Sequence, residues 1–98
     1  MDEKTRIKRS PQVAAHGLGE RDGGVLLHLK SGQYHGVDGV GWIIWNLLDG
    51  SRSVVELVDE LRLQFPDGPV QLNEDIRSFV RSLLERSLAE VVDANPDA

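Results

Sequence analysis

The chain has no cysteine. That excludes a disulfide framework, a thiolate metal site and a cysteine nucleophile. Long apolar runs are missing as well: nothing approaches the roughly 20 residues needed to cross a bilayer, and residues 1–15 lack the apolar stretch of a signal peptide. A cytoplasmic protein with no membrane partner is expected. Aromatic side chains are scarce, yet two tryptophans sit three apart, on nearly one helix face. Trp45 is expected to anchor the core and Trp42 to be half exposed. The nucleotide and metalloprotease signatures GxGxxG, Walker and HExxH are absent. "GVDGVG" (36–41) is glycine-rich but leads into an acidic half with no lysine to meet a phosphate.

Ninety-eight residues make one small domain, which buries only about 60–65% of its unfolded surface. The formal charge of −5 is unevenly spread. Residues 1–37 hold six Lys/Arg against four acids, and residues 38–98 hold five Arg against twelve acids. An acidic helical half is a poor surface for a phosphate backbone, so no nucleic-acid partner is expected. The basic start "KTRIKRS" reads as a solvated terminus. Residues 1–11, ending at Pro11, are expected to be a flexible lead-in, 12–92 the folded domain and 93–98 a flexible tail.

Three strand candidates follow the lead-in: "QVAAHGLGE" (12–20), "GVLLHLK" (24–30) and "QYHGV" (33–37). Asp22-Gly23 and Ser31-Gly32 between them are hairpin-turn signals, because both positions tolerate positive φ. An antiparallel meander results, with its first and third strands at the edges. If Ser31-Gly32 is a two-residue loop, Leu29 faces Tyr34 and His28 faces His35. One face then carries Val25, Leu27, Leu29 and Tyr34 and is expected to pack on the helices; the other, with Leu26, His28, Lys30, Gln33, His35 and Val37, is expected to be wetter.

The rest reads as three helices. Asp38 caps the first, over about 39–49, stopped by Gly50. "SVVE" (53–56) is a capping box opening the second, which Pro66 ends near Phe65. Asn73 is the expected cap of the third, which runs to about Ser87 with Ile76, Phe79, Val80, Leu83 and Leu84 inward. "LAEVV" (88–92) adds a short extended piece. The fold expected is α+β and winged helix-turn-helix-like, a three-stranded antiparallel sheet followed by three helices.

Catalytic chemistry has little to work with. His28 and His35, as cross-strand neighbours, offer two metal ligands where a zinc site needs three or four, so no metal is expected. Asp59-Glu60 and Glu74-Asp75 point in different directions on their helices and make no acid/base pair. Binding remains. "QYHGV" is an edge strand without proline, and such edges offer unpaired N–H and C=O groups to an incoming peptide. The pocket wall would come from the third helix. The alternative is an edge covered by the chain's own tail, "AEVV".

The stretches "VLLHLKSGQYHGVDGVGWIIWNLLDGSRSVVELVDELRLQF" and "LNEDIRSFVRSLLERSLAEV" resemble the PqqD-like family. Its members are the recognition elements and peptide chaperones of ribosomally made, post-translationally modified peptide pathways. The matching elements are Val25 to Leu29, Ser31-Gly32, Tyr34, Val37-Asp38, Gly41, Ile43 or Ile44 with Trp45, Gly50, Ser53 to Leu57, and Asp75, Phe79, Val80 and Leu83. They span about 13–92. Asp38 replaces the usual Asn, and Ser87 stands where the family often has Gly. The resemblance implies a non-catalytic domain without cofactor that binds the leader segment of a precursor peptide as an extra antiparallel strand and presents it to a modifying enzyme. Gln33, Tyr34, His35, Gly36 and Val37 would supply main-chain pairing, and Asp75, Ile76, Phe79 and Leu83 would line the groove. Lasso-peptide pathways, with a separate leader protease and cyclase as partners, are favoured over cofactor-peptide and radical-enzyme pathways. The second reading is a winged-helix DNA-binding regulator. It needs a basic recognition helix, but residues 73–87 balance Arg77, Arg81 and Arg86 against Glu74, Asp75 and Glu85.

Overall fold

The computed structural model describes residues 4–19, 22–68 and 70–92. Along the chain lie β1 (Arg6–Arg9), β2 (Val13–Gly17), β3 (Gly24–His28), β4 (Tyr34–Val37), α1 (Gly39–Leu47), β5 (Asp49–Ser53), α2 (Val54–Gln64), α3 (Leu72–Glu85) and β6 (Ala89–Val91). The strands form two three-stranded antiparallel sheets, ordered β5-β1-β6 and β2-β3-β4. The three helices cover them in a winged-helix-like α+β arrangement.

The first sheet corrects the reading of residues 1–11 as a lead-in. Ile7 is fully buried in β1, which pairs with β5 on one side and β6 on the other. Charged neighbours disguise it: in "RIKR" one apolar residue alternates with cations whose side chains stay in water. β5, "DGSRS", carries no apolar residue at all and is held by pairing with β1. The expected tail 93–98 lies outside the described residues, as does part of the turn around Asp22-Gly23.

The second sheet is the expected meander with a different register. The β3–β4 loop is closed by His28 N–H donating to the Gln33 carbonyl (3.0 Å), with Gly32 at φ +74 donating to the His28 carbonyl (2.8 Å). Four residues therefore span the turn, and Leu27 faces Tyr34 while Leu26 faces His35. A shift of two keeps each residue on its expected face. What reverses is which face is inside. Leu26 is fully buried, whereas Leu29 and Tyr34 are 56% and 70% exposed. The cause is Trp42. Gly17 and Gly24, paired across β2 and β3, leave a hollow on the inner face, and a Cβ on Gly24 would stand 2.3 Å from the indole. Beside Leu26, Val13 and Val37 from the strands, that face is filled by an indole from a helix, which the strand pattern alone does not show.

The starts of α1 and α2 follow their local signals. The Asp38 side chain accepts from Gly41 N–H (2.7 Å) at the start of α1. At α2 the capping box is complete: Ser53 N–H donates to Glu56 Oε1 (2.9 Å) and Glu56 N–H to Ser53 Oγ (3.2 Å). The Ser53 backbone N–H, then its hydroxyl, hold the Glu56 carboxyl below its usual value. α1 ends at Leu47, before Gly50, which takes φ +86 inside β5 instead of stopping the helix. Asn73 is not a cap. α3 begins at Leu72 with no side-chain cap, and Asn73 Oδ1 instead accepts from Arg62 Nε and Nη2 of α2 (3.3 and 3.2 Å). Trp45, Ile44, Leu48, Leu57, Leu61, Ile76, Val80 and Leu83 are buried together with Ile7, Leu26 and Leu88, so both sheets share one core. Trp42 is half-buried against it.

Candidate functional site

Among the described residues β4 has one strand neighbour, β3, and no strand pairs with its other edge. The expected competitor for that edge, the "AEVV" segment, pairs with β1 instead. Which groups the edge offers follows from alternation. In an antiparallel pair, main-chain groups point alternately toward and away from the partner. His28 bonds Gln33, so in the same register Leu26 bonds His35 and Gly24 bonds Val37. The β2 side agrees in parity, since Leu29 N–H donates to the Gln12 carbonyl (2.8 Å). The N–H and C=O groups of Tyr34 and Gly36 thus face outward. Those of Gln33, His35 and Val37 face β3. A Cβ placed on Gly36 would meet nothing within 4 Å.

α3 reaches this strand at its C-terminal end. Arg86, its C-cap, places Nη1 3.2 Å from His35 Nδ1 on β4. At the far end, a cavity of about 400 Å³ opens between α1 and α3, lined by Asp38, Val40, Gly41, Ile44, Leu72, Asp75, Ile76 and Phe79. Asp38 directly follows β4, so α3 passes the edge in the direction opposite to the strand. The cavity floor is apolar and its rim holds two carboxylates. Asp38 is engaged in capping α1; Asp75 lies in the first turn of α3. Gly41 permits the close approach of the two helices: a Cβ there would be 3.2 Å from Phe79 Cζ.

The structure brings Asp75, Ile76 and Phe79 together in this cavity, next to the end of the strand that holds Tyr34 to Val37. Leu83 is 3% exposed and belongs to the core cluster. Val40, Ile44 and Leu72 from the lining, and Arg86 at the opposite end, were not assigned to the peptide site from the sequence. The signal for Arg86 was present: Asp75, Phe79 and Arg86 fall on one helical stripe, since eleven residues is close to three turns. His28 and His35 are not opposite one another; His28 faces Val13, and its Nδ1 accepts from Lys30 N–H (3.3 Å). Among the described residues no three His, Asp or Glu gather as metal ligands, and no helix is long and apolar enough to cross a membrane.

A winged-helix-like α+β domain with an open-edged sheet beside a helix-walled groove is thus defined. The family model described as coenzyme PQQ synthesis protein D (PqqD) matches residues 23–89, and the chain belongs to the PqqD family. Among solved structures, "TbiB1 in Complex with the TbiA(beta) Leader Peptide" is 31% identical with a TM-score of 0.70, covering 90% of this chain and 98% of that one. "Lasso peptide synthetase B1 complexed with the leader peptide" is 22% identical at a TM-score of 0.70, covering 87% of this chain and 98% of that one. The heterocyclase TruD shares the fold at 19% identity and a TM-score of 0.65, over 96% of this chain but 12% of its own. No curated protein sequence matches.

Proposed function

We propose that this chain is a non-catalytic recognition protein: it binds the leader segment of a precursor peptide as an added antiparallel strand on β4, against α3, and delivers it to a modifying enzyme or leader protease. The carrying observation is the open edge of β4, whose Tyr34 and Gly36 main-chain groups point away from β3, on a strand that α3 reaches through Arg86 and His35. Strand addition of this kind takes affinity from main-chain hydrogen bonds and selectivity from neighbouring pockets. The cavity lined by Asp75, Ile76 and Phe79 serves as such a pocket. TbiB1, 31% identical over most of the chain, was solved with a leader peptide, which supports the same ligand class here. A lasso-peptide pathway, with a leader protease and a cyclase as downstream partners and the cytoplasm as the compartment, is the setting this reading favours.

The test is fluorescence anisotropy with a labelled leader from the precursor gene beside this chain's own. Gly36→Pro removes an outward N–H from an edge strand, a position where proline is tolerated by the sheet. Micromolar or tighter binding by the unaltered protein, lost at least about tenfold in Gly36→Pro, is the expected result. Equal affinity in a Gly36→Pro protein with an unchanged circular dichroism spectrum refutes strand addition.

A further inference from the structure

The groove beside β4 has opposite charges at its two ends, carried on one stripe of one helix. Asp75 opens α3 and lies on the cavity rim; Arg86 closes it and reaches His35 on β4. Eleven residues of helix separate them by about 16 Å along the axis. An extended strand covers that in about five residues, and side chains directed to the same face recur every second residue. A strand laid antiparallel to β4 enters beside Asp38 and Asp75 and leaves beside Arg86. Resting on the leader-binding reading above, we propose that the groove selects a charge-ordered peptide: a Lys or Arg at the N-terminal end of the bound segment, apolar side chains in the cavity, and an Asp or Glu four to six residues further on. Asp75 and Arg86 are the residues that fix this order, and with it the direction in which the peptide lies.

Local chemistry supports each end. Asp38, the other carboxylate of the lining, accepts from Gly41 N–H at 2.7 Å through one oxygen and keeps its charge, so it adds to the attraction of Asp75 for a cation. Arg86 gives one N–H to His35 and keeps further donors of its planar fork for a carboxylate, which it binds bidentately. His35 acts as a positioning residue: as acceptor it holds the guanidinium beside the edge before the peptide arrives. Direction needs such a device. Main-chain pairing at Tyr34 and Gly36 accommodates a strand of either sense, and the antiparallel one is only slightly the more stable per residue.

The experiment is selection of a phage-displayed random dodecapeptide library on the full chain, on Gly36→Pro, and on Asp75→Lys/Arg86→Glu. Peptides enriched on the unaltered chain and lost on Gly36→Pro are expected to carry the basic residue first and the acidic one later. The double variant is expected to enrich the reverse order. A synthetic winner with its two charged residues exchanged should bind the unaltered chain about fivefold to tenfold more weakly, the range of partly exposed ion pairs, and the difference should shrink in high salt. Enrichment that depends on Gly36 but shows no charge order, or shows the reverse order on the unaltered chain, overturns the proposal and leaves leader binding standing. Failure to enrich any peptide that Gly36→Pro loses overturns both.

Discussion

Both sheets of this molecule have three strands, and their edges are built in opposite ways. In β5-β1-β6 the outer strands are poor templates. β6 is three residues long and pairs its Glu90 with Lys8 at 3.7 Å. β5 holds an Asp49–Arg52 ion pair at 3.1 Å, a glycine at φ +86 and a register shift against β1, then turns directly into α2. Short length, charge and irregularity are the usual protections against unwanted strand pairing. In β2-β3-β4 the edge strand "YHGV" has no acid, lysine, arginine or proline. The same chain blunts one sheet and leaves the other bare, so the bare edge reflects its own residues and not a general looseness of the fold.

The largest effect that could break this contrast comes from deleting residues 1–9. Were they a lead-in, nothing would change. As β1, residues Arg6–Arg9 hold the first sheet together, and without them β5 and β6 lose their common partner. Truncating one buried Ile such as Ile7 to Ala costs about 2–5 kcal/mol, set against a typical total of about 5–15 kcal/mol. Removing the whole strand should abolish the cooperative urea transition followed by circular dichroism. A deletion variant with an unaltered midpoint would remove β1 from the fold.

A smaller effect separates the inner face of the second sheet from its edge. Gly24→Ala would press a methyl against the Trp42 ring at 2.3 Å and the His16 carbonyl at 2.9 Å. Overpacking of that kind costs about 1–3 kcal/mol, and Trp42 fluorescence should shift with it. Gly36→Ala on the open edge, with nothing within 4 Å, should stay within about 0.5 kcal/mol. Equal losses at the two glycines would mean that the edge is packed after all.

The same contrast explains what the sequence could disclose. Local devices were legible: the Asp38 cap, the Ser53–Glu56 box, the β2-β3-β4 order and the buried Trp45 each depend on neighbours a few residues apart. β1 and β5 were not, because "RIKR" and "DGSRS" become strands only by pairing across some forty residues of chain. The inner face of the second sheet was misassigned because its filling, Trp42, belongs to another element. At the candidate site, pattern and resemblance pointed to the edge strand and to Asp75, Ile76 and Phe79, which line one cavity. Arg86 could not be assigned a place there until the helix had been set beside β4.

The smallest effect lies where α3 hands the chain to the blunted sheet. Ser87 takes φ +59, the left-handed conformation usually given to glycine at this point. Leu88 N–H donates to the Leu83 carbonyl (2.8 Å) and Ser87 N–H to that of Leu84 (3.1 Å), which satisfies the last carbonyls and buries Leu88 against Leu83. The turn is therefore as sharp with serine as with glycine, and the difference appears as strain. A side chain in this conformation costs about 1–2 kcal/mol. Glycine relieves that but adds about 0.4–1 kcal/mol of unfolded-chain entropy. Ser87→Gly should thus stabilise by about 0.5 kcal/mol, raising the thermal midpoint by about 2–4 °C in a domain of this size. A fall in the midpoint would show that the serine hydroxyl supplies more at the helix exit than its backbone strain removes.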